Sequence, residues 1–123
     1  MSDFTHPLTL IGPQGEETID AVVDTGAYFT WIPASILRRL GVQPIDRIPL
    51  QLADGRVTEH EVGEARARIN GRERQTVCIF GNEETEPLIG AYTLEGFLLA
   101  ADPVNKQLLP RIARVLSPRL PKT

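Results

Sequence analysis

The sequence predicts a mainly β domain with one or two short helices. Turn signals support this prediction: "GPQG", Asp54-Gly55 in "LADGRV", and Asn70-Gly71 each lie between apolar or alternating runs. Helical spacing of apolar residues occurs only in short stretches. A chain of 123 residues with ordinary apolar and charged fractions is expected to fold as a single domain.

The first elements in the chain are a predicted hairpin and a predicted helix. Residues 8–11 and 18–23 flank "GPQG", whose glycines and proline supply the turn. The stretch "PASILRRLG" then predicts a short helix, because Pro33 suits a first helical position and the apolar residues that follow share one face. Gly41 offers a C-terminal stop.

A second hairpin is predicted between residues 48–52 and a long strand beginning at Arg56. Asp54-Gly55 is a signal for a two-residue turn at its projecting tip. Alternating small and charged residues over 64–69 predict a half-exposed strand. The turn signal Asn70-Gly71 then predicts an antiparallel pairing of this strand with the one that follows.

The C-terminal part of the domain is predicted to contain a helix and a last hairpin. Residues 92–99 are consistent with a short helix, and residues 100–102 can pair with residues 107–109 across a turn. No repeat or linker precedes the basic, proline-containing C-terminus. The sequence therefore predicts a domain over residues 1–110 and a tail over residues 111–123.

The charge distribution argues against nucleic acid and membrane partners. All 16 acidic residues precede residue 111, and the basic residues form no stripe with aromatic residues between them. No apolar segment approaches the length of a membrane span, and the N-terminus lacks the pattern of a signal peptide. We expect a cytoplasmic protein with no nucleic acid or membrane partner.

Several chemistries have no support in the sequence. Cys78 is the single cysteine and lies in an apolar run, where it is expected to be a buried, inert side chain. His6 and His60 are isolated, so no metal site is predicted. The glycines match no phosphate-binding or dinucleotide motif, and no serine lies in a nucleophile-elbow context. We therefore expect no cofactor.

The stretch "AVVDTGAYFTWIP" places a carboxylate, Asp24, at the end of an apolar strand. Burying a carboxylate there is costly without compensation. Thr25 and Gly26 follow in a predicted tight turn, where Gly26 allows a second backbone to approach closely. The tripeptide alone is a weak signal. It is followed much later by "PLIG" and a helix-like segment, which strengthens it.

This pair of motifs, with a turn-tipped hairpin between them, resembles the retropepsin-like aspartic proteases over residues 8–110. The resemblance implies a closed β-barrel of the acid-protease fold that forms a homodimer and carries a flap hairpin. It implies a catalytic set made of Asp24, Thr25 and Gly26. The substrate-binding set that it implies is Ala27, the flap residues Ala53, Asp54, Gly55 and Arg56, and the segment Leu88, Ile89 and Gly90, which packs behind the turn.

The chemistry of peptide hydrolysis explains why a single Asp24 implies two chains. One carboxylate cannot be both the base that activates water and the acid that protonates the scissile peptide, whereas two adjacent carboxylates share a proton. A chain with one such motif must take the second Asp24 from another copy, across a twofold axis. The resemblance therefore implies a homodimer that hydrolyses a peptide or protein substrate without a covalent intermediate.

The sequence departs from the retroviral pattern near this motif. Retroviral enzymes have an acidic residue and an arginine where this chain has Tyr28 and Ala91, so their ion-pair network is absent. The flap carries charged Asp54 and Arg56. Two alternatives stay open: a dimeric module that binds peptides without turnover, and an unrelated small β-barrel in which Asp24 is only a turn residue.

Overall fold

The computed structural model describes residues 3–113, and the tail predicted over residues 111–123 lies outside them from residue 114 onward. This part of the chain contains nine strands and two short helices. In chain order they are β1 (Thr5–Gly12), β2 (Gly15–Val23), β3 (Thr30–Pro33), α1 (Ala34–Arg39), β4 (Pro44–Gln51), β5 (Val57–Ile69), β6 (Arg72–Gly81), β7 (Leu88–Ile89), α2 (Ala91–Gly96), β8 (Leu99–Asp102) and β9 (Gln107–Pro110).

Seven strands form a sheet in the order β1-β2-β7-β3-β6-β5-β4. The strand β1 also pairs with the C-terminal part of β5, with Leu10 opposite Ala67, so six of the strands close into a barrel. The remaining strand, β4, pairs only with the N-terminal part of β5. The predicted mainly β fold with a closed barrel and two short helices is confirmed.

The barrel is filled by alternate residues of its strands. Leu8 and Leu10 on β1 are fully buried, and they lie on the same face because side chains alternate along a strand. Both helices contribute to this core, through Leu37 of α1 and Leu94 of α2. Burial of a large aliphatic side chain contributes about 1.5–3 kcal/mol each, so this core is the main source of stability.

Two of the predicted hairpins form as expected. Gly12 lies opposite Gly15, which leaves a two-residue turn between β1 and β2. Between β5 and β6, Asn70 and Gly71 both have positive φ angles, of 51° and 81°, as a type I′ turn requires. Asparagine and glycine are the residues that adopt this conformation most readily, which is why the sequence signal was reliable.

The hairpin between β4 and β5, which was predicted to be a flap, differs from its prediction. Asp54-Gly55 does not form a two-residue turn, and β5 begins at Val57 and not at Arg56. The N–H of Leu52 donates to the carbonyl of Arg56 at 2.7 Å, and the N–H of Gly55 donates to the carbonyl of Leu52 at 2.9 Å. With Gly55 at a φ of 89°, this is a three-residue loop that ends in a left-handed glycine, a common hairpin alternative.

The second helix is shorter than predicted. The sequence indicated residues 92–99, whereas α2 covers Ala91–Gly96 and β8 already begins at Leu99. Leu98 has a φ of 55°, a left-handed conformation that reverses the chain after the helix. The first helix and the pairing of β8 with β9 are confirmed, within one or two residues at their ends. No helix in residues 3–113 is long and apolar enough to cross a membrane.

Candidate active site

Asp24 lies directly after β2, in a turn held by backbone hydrogen bonds. Its own N–H donates to the carbonyl of Ile89 at 3.0 Å, and its carbonyl accepts the N–H of Ala27 at 3.2 Å. The N–H of Gly26 donates to the carboxylate oxygen Oδ1 of Asp24 at 2.9 Å. A Cβ on Gly26 would stand 3.2 Å from that oxygen, so glycine leaves the carboxylate uncrowded.

The segment predicted to pack behind this turn does so. Strand β7 lies between β2 and β3, with Val23 opposite Ile89 and Trp31 opposite Leu88. A Cβ on Gly90 would come within 2.5 Å of the carbonyl oxygen of Phe29, so only glycine permits this approach. Because Ile89 and Gly90 are buried, they support the turn from behind and offer no surface for direct contact with a peptide.

Three buried threonines behind the turn were missed by the sequence interpretation. The hydroxyl of Thr93 in α2 is 2.6 Å from that of Thr30 and 2.7 Å from that of Thr76. The N–H of Gly90 donates to the Thr30 hydroxyl at 3.1 Å. The network joins α2 to β3 and β6. No motif marks these threonines in the sequence, and only the inward strand register of Thr30 and Thr76 could have identified two of them.

The predicted catalytic set, Asp24, Thr25 and Gly26, is accessible on the surface of the chain. Asp24 is half-buried, and Thr25 and Gly26 are exposed. Ala27 is half-buried and faces a groove of about 370 Å³ between the turn and the flap hairpin. This groove contains no charged side chain, and its lining residues are Gly26, Ala27, Tyr28, Phe29, Trp31, Leu50, Gln51, Leu52 and Ala53.

The structure therefore brings Ala53 of the flap to the same groove as Ala27. The other predicted flap residues form the exposed tip of the hairpin and do not line the groove. There the Nε of Arg56 donates to Asp54 at 2.7 Å. The backbone N–H of Arg56 also donates to Asp54, and these two hydrogen bonds, the backbone one first, hold the pKa of Asp54 below its ordinary value.

Aromatic side chains occupy the region where retroviral enzymes carry their ion pairs. The ring of Tyr28 meets those of Phe29 and Tyr92 edge-on, with centroids 4.8 and 5.8 Å apart. The carbonyl of Tyr28 accepts the N–H of Tyr92 at 2.8 Å, and that of Ala27 accepts the N–H of Ala91 at the same distance. Backbone hydrogen bonds and ring contacts thus hold the start of α2 against the turn.

Other side chains with reactive groups do not line this groove. Cys78 is fully buried, and burial raises the pKa of its thiol to about 12, as expected for an inert side chain. The ring of His60 packs against that of Trp31, with centroids 4.8 Å apart. In residues 3–113 no three His, Cys, Asp or Glu side chains form a group that could hold a metal ion.

The fold places the chain in a known class. It is similar to the protease of simian foamy virus (mac), with a TM-score of 0.55 and 16% identity over 74% of this chain and 91% of that one. It is also similar to Lpg0085, a Legionella pneumophila protein of unknown function (DUF785), with a TM-score of 0.56 and 19% identity over 88% and 93% of the chains. The fold is that of the retropepsin-like proteases, as the sequence predicted.

The family follows from the sequence itself. Residues 14–96 match the family described as "gag-polyprotein putative aspartyl protease", and the chain belongs to this family. No curated protein matches the sequence. A third structural similarity is to the foamy viral protease-reverse transcriptase in complex with an RNA/DNA hybrid, with a TM-score of 0.55 and 16% identity; it covers 90% of this chain and 13% of that one.

Proposed function

We propose that the protein is an aspartic endopeptidase whose active site forms between two copies of the chain. The observation that supports this most directly is the Asp24 carboxylate, half-buried at the end of β2 and fixed by the N–H of Gly26. The Asp-Thr-Gly turn is complete, and it lies in a chain of an aspartyl protease family. One copy supplies one such carboxylate, so the second comes from the partner.

The proposed reaction uses the two carboxylates in different protonation states. The ionised one takes a proton from a water that lies between them, and the resulting nucleophile attacks the scissile carbonyl carbon. The protonated one donates to the carbonyl oxygen, and a proton then passes to the leaving nitrogen as the C–N bond breaks. No covalent intermediate forms. Because one carboxylate must be protonated while the other is ionised, activity should follow an acidic, bell-shaped pH profile.

The groove between turn and flap supports a peptide or protein as the substrate. It runs beside the catalytic turn, from Gly26 to Ala53 of the flap. An extended peptide would bind there by strand-like backbone hydrogen bonds, with the Leu52–Arg56 loop closing over it. Since its lining is uncharged and includes Tyr28 and Trp31, we propose a preference for apolar side chains in this groove.

A silent dimeric peptide-binding module is the second candidate. The charged flap tip of Asp54 and Arg56 and the aromatic neighbours of Tyr28 differ from the retroviral surroundings. Such a module would keep the groove and the dimer without turnover. The cytoplasmic location and the absence of nucleic acid or membrane partners are further proposals. The RNA/DNA hybrid belongs to the foamy viral structure.

The decisive experiment replaces Asp24 by asparagine and compares cleavage of an unbiased peptide library. Asp24→Asn should keep the melting temperature within a few degrees and remove cleavage entirely. The matched control is Asp20→Asn, an exposed aspartate on β2, the strand that precedes Asp24, which should keep wild-type activity. A purified Asp24→Asn protein that still cleaves would refute the protease assignment. Peptide binding by a wild type that never cleaves would favour the silent module.

Mixing the two proteins tests the composite site separately. If each site needs two Asp24 carboxylates, an excess of the Asp24→Asn chain should capture wild-type subunits in inactive heterodimers. At a constant total protein concentration, activity should then fall with the square of the wild-type fraction, because only wild-type homodimers are active. Activity that falls linearly with the wild-type fraction would show that one chain is sufficient.

A further inference from the structure

We infer that Trp31 decides which substrate side chains bind in the uncharged groove, and that His60 is the positioning residue that holds the Trp31 ring. His60 does not line this groove, so it acts on a bound peptide only through Trp31. The inference rests on the proposed function, because it takes a peptide as the occupant of the groove. It adds a residue of the hairpin between β4 and β5 that sets substrate affinity without touching the substrate.

The strand β3 turns Trp31 away from the core of the barrel. Its neighbours Thr30 and Ile32 are fully buried, and successive side chains of a strand point to opposite faces. Trp31 therefore lies on the other face of β3, where it is half-buried and lines the groove beside the catalytic turn. A tryptophan in this position offers a large, rigid apolar surface to a ligand.

A small apolar layer lies on the same face of the sheet as Trp31. Trp31 lies opposite Ile79 on β6, and Ile79 lies opposite Val62 on β5, so the three side chains form one row across the sheet. Ile79 and Val62 are buried, although they are not part of the core inside the barrel. His60 precedes Val62 by two residues on β5 and therefore projects to the same side.

The hairpin between β4 and β5 contacts this row with one of its faces. His60 pairs with Ile48, and Thr58 pairs with Leu50, so these four side chains share a face of the hairpin. All four are half-buried, whereas the single residue between them on each strand is exposed. Leu50 lines the groove, and the ring of His60 contacts that of Trp31. One face of the hairpin thus forms part of the groove and also supports its tryptophan.

Two contacts fix the ring of His60. Its centroid lies 4.8 Å from that of the Trp31 ring, and the two planes meet at 71°, in the edge-to-face arrangement that aromatic pairs prefer. Its Nε2 forms a hydrogen bond of 2.7 Å with the hydroxyl of Thr58. A ring held in this way restricts the rotamers of Trp31 before a peptide arrives. Binding then costs less side-chain entropy, so His60 raises the affinity of the groove.

The fluorescence of Trp31 reports this site alone, because Trp31 is the single tryptophan of the chain. The probes are two pools of short peptides of equal length and net charge. One pool has Leu, Val, Ile or Phe at its central positions, and the other has Ser, Thr, Asn or Gln. Binding is measured with the Asp24→Asn protein, which should leave the peptides intact. The apolar pool should reduce acrylamide quenching of Trp31 and the polar pool should not, because the groove is uncharged.

Replacement of His60 tests its role as a positioning residue. His60→Ala should raise the dissociation constant of the apolar pool and the KM for cleavage at least about threefold, as expected for the loss of one aromatic contact. The kcat should be nearly unchanged, because His60 touches neither the substrate nor Asp24. In the free protein, acrylamide quenching of Trp31 should increase. His60→Phe keeps a ring against Trp31 and should retain most of the affinity.

Two further variants complete the series. Thr58→Val removes only the hydroxyl that holds His60, and it should raise the dissociation constant less than His60→Ala does. Glu59→Ala, at an exposed position on the other face of β5, is the matched control and should bind like the parent protein. Melting temperatures show whether each variant is folded. If His60→Ala does not fold, His60→Phe and Thr58→Val still give the test.

The outcomes separate this inference from the proposed activity. Weaker binding in His60→Ala, with affinity kept in His60→Phe, supports it. Unchanged affinity in His60→Ala, an equal loss in both His60 variants, or no protection of Trp31 by the apolar pool would overturn it, and cleavage by the wild type would still support the protease assignment. Protection of Trp31 without cleavage by the wild type would keep the inference and remove the activity. The absence of both would overturn both.

Discussion

The carbonyl oxygen of Ile89 accepts the backbone N–H of Asp24 at 3.0 Å. Strand β7, only two residues long, therefore fixes the candidate catalytic turn from a distant part of the chain. It reaches this position because Gly90 allows the backbone of Phe29 to come close. The turn is thus held from behind by backbone contacts, which leaves its side chains free for a partner and a substrate.

Gly90→Ala should strongly destabilise the protein. The added Cβ would stand 2.5 Å from the Phe29 carbonyl oxygen. Relieving this contact requires a shift of the backbone, which is energetically costly. Overpacking of this kind costs about 1–3 kcal/mol. Gly96→Ala, in the helix α2 that Gly90 precedes, is the control, because nothing lies within 4 Å of its Cβ position and stability should be unchanged or slightly higher. Denaturant unfolding of both variants checks this; equal stabilities would contradict the packing argument.

Thr93→Val should lower the free energy of unfolding by about 1–3 kcal/mol, because it leaves the buried hydroxyls of Thr30 and Thr76 without their partner. Valine has nearly the same shape, so the loss reports hydrogen bonding and not volume. Thr5→Val, at an exposed position on β1, should change stability by less than about 0.5 kcal/mol. If thermal and denaturant unfolding show no difference between the two variants, the network is not important for stability.

The close approach at Gly90 and the hydrogen-bond network of Thr93 differ in how well the sequence predicts them. The turn at Asp24 and the segment ending in Gly90 were predicted together, because each has a recognisable local pattern and their order along the chain supports a family resemblance. The Asn70-Gly71 turn was correct for a similar reason, since few residues adopt its dihedral angles. A short sequence pattern that restricts the backbone dihedral angles therefore allows a local structure to be predicted from the sequence.

The threonine network and the flap loop were not predictable in the same way. Thr30, Thr76 and Thr93 meet only when three separate elements pack together, so no local spacing reveals them. At the flap, Asp54-Gly55 is compatible with both a two-residue and a three-residue loop. Pairing of Leu52 with Arg56 selects the longer one, and that pairing depends on the register of β4 with β5.

The stability contributed by Glu83 should disappear in acid. Its carboxylate accepts hydrogen bonds from the hydroxyl and the N–H of Ser35, and these two donors, the hydroxyl first, lower the pKa of Glu83 below its ordinary value of 4.5. A lowered folded-state pKa gives a contribution that is complete above the ordinary value and is lost as the pH falls through the folded one. The melting temperature of Glu83→Gln should therefore lie below wild type near pH 7 and converge with it in strong acid.

Glu84→Gln is the control for this pH dependence. Glu84 is the next residue along the chain, and its carboxylate accepts no hydrogen bond within residues 3–113. Its melting temperature should follow that of the wild type at every pH. A constant offset between Glu83→Gln and wild type down to strong acid would show that the Ser35 contact does not depend on ionisation. The effect matters for the proposed enzyme, because this loop leads into β7, which holds the candidate catalytic turn.

Gly55→Ala should impair catalysis more than stability. Gly55 has a φ of 89°, so a side chain there costs about 1 kcal/mol of strain at the flap tip. Gly71→Ala imposes similar strain at another hairpin, with a φ of 81° and open space around it. Both variants should lose similar stability, but only Gly55→Ala should lower kcat/KM several-fold. Equal kinetics in the two variants would mean that the Leu52–Arg56 loop is not a working flap.

Leu52→Glu should change which peptides are cleaved. Leu52 lines the uncharged groove between turn and flap, and a carboxylate there would attract basic side chains and repel acidic ones. We expect cleavage in a peptide library to shift towards Lys or Arg by at least about tenfold, which corresponds to ~1.4 kcal/mol. The control is Ile45→Glu, an exposed apolar position on β4 outside the groove, which should keep the wild-type profile. If both variants cleave the same peptides as the wild type, the substrate lies elsewhere, because a new charge within contact of a bound chain must alter its preference.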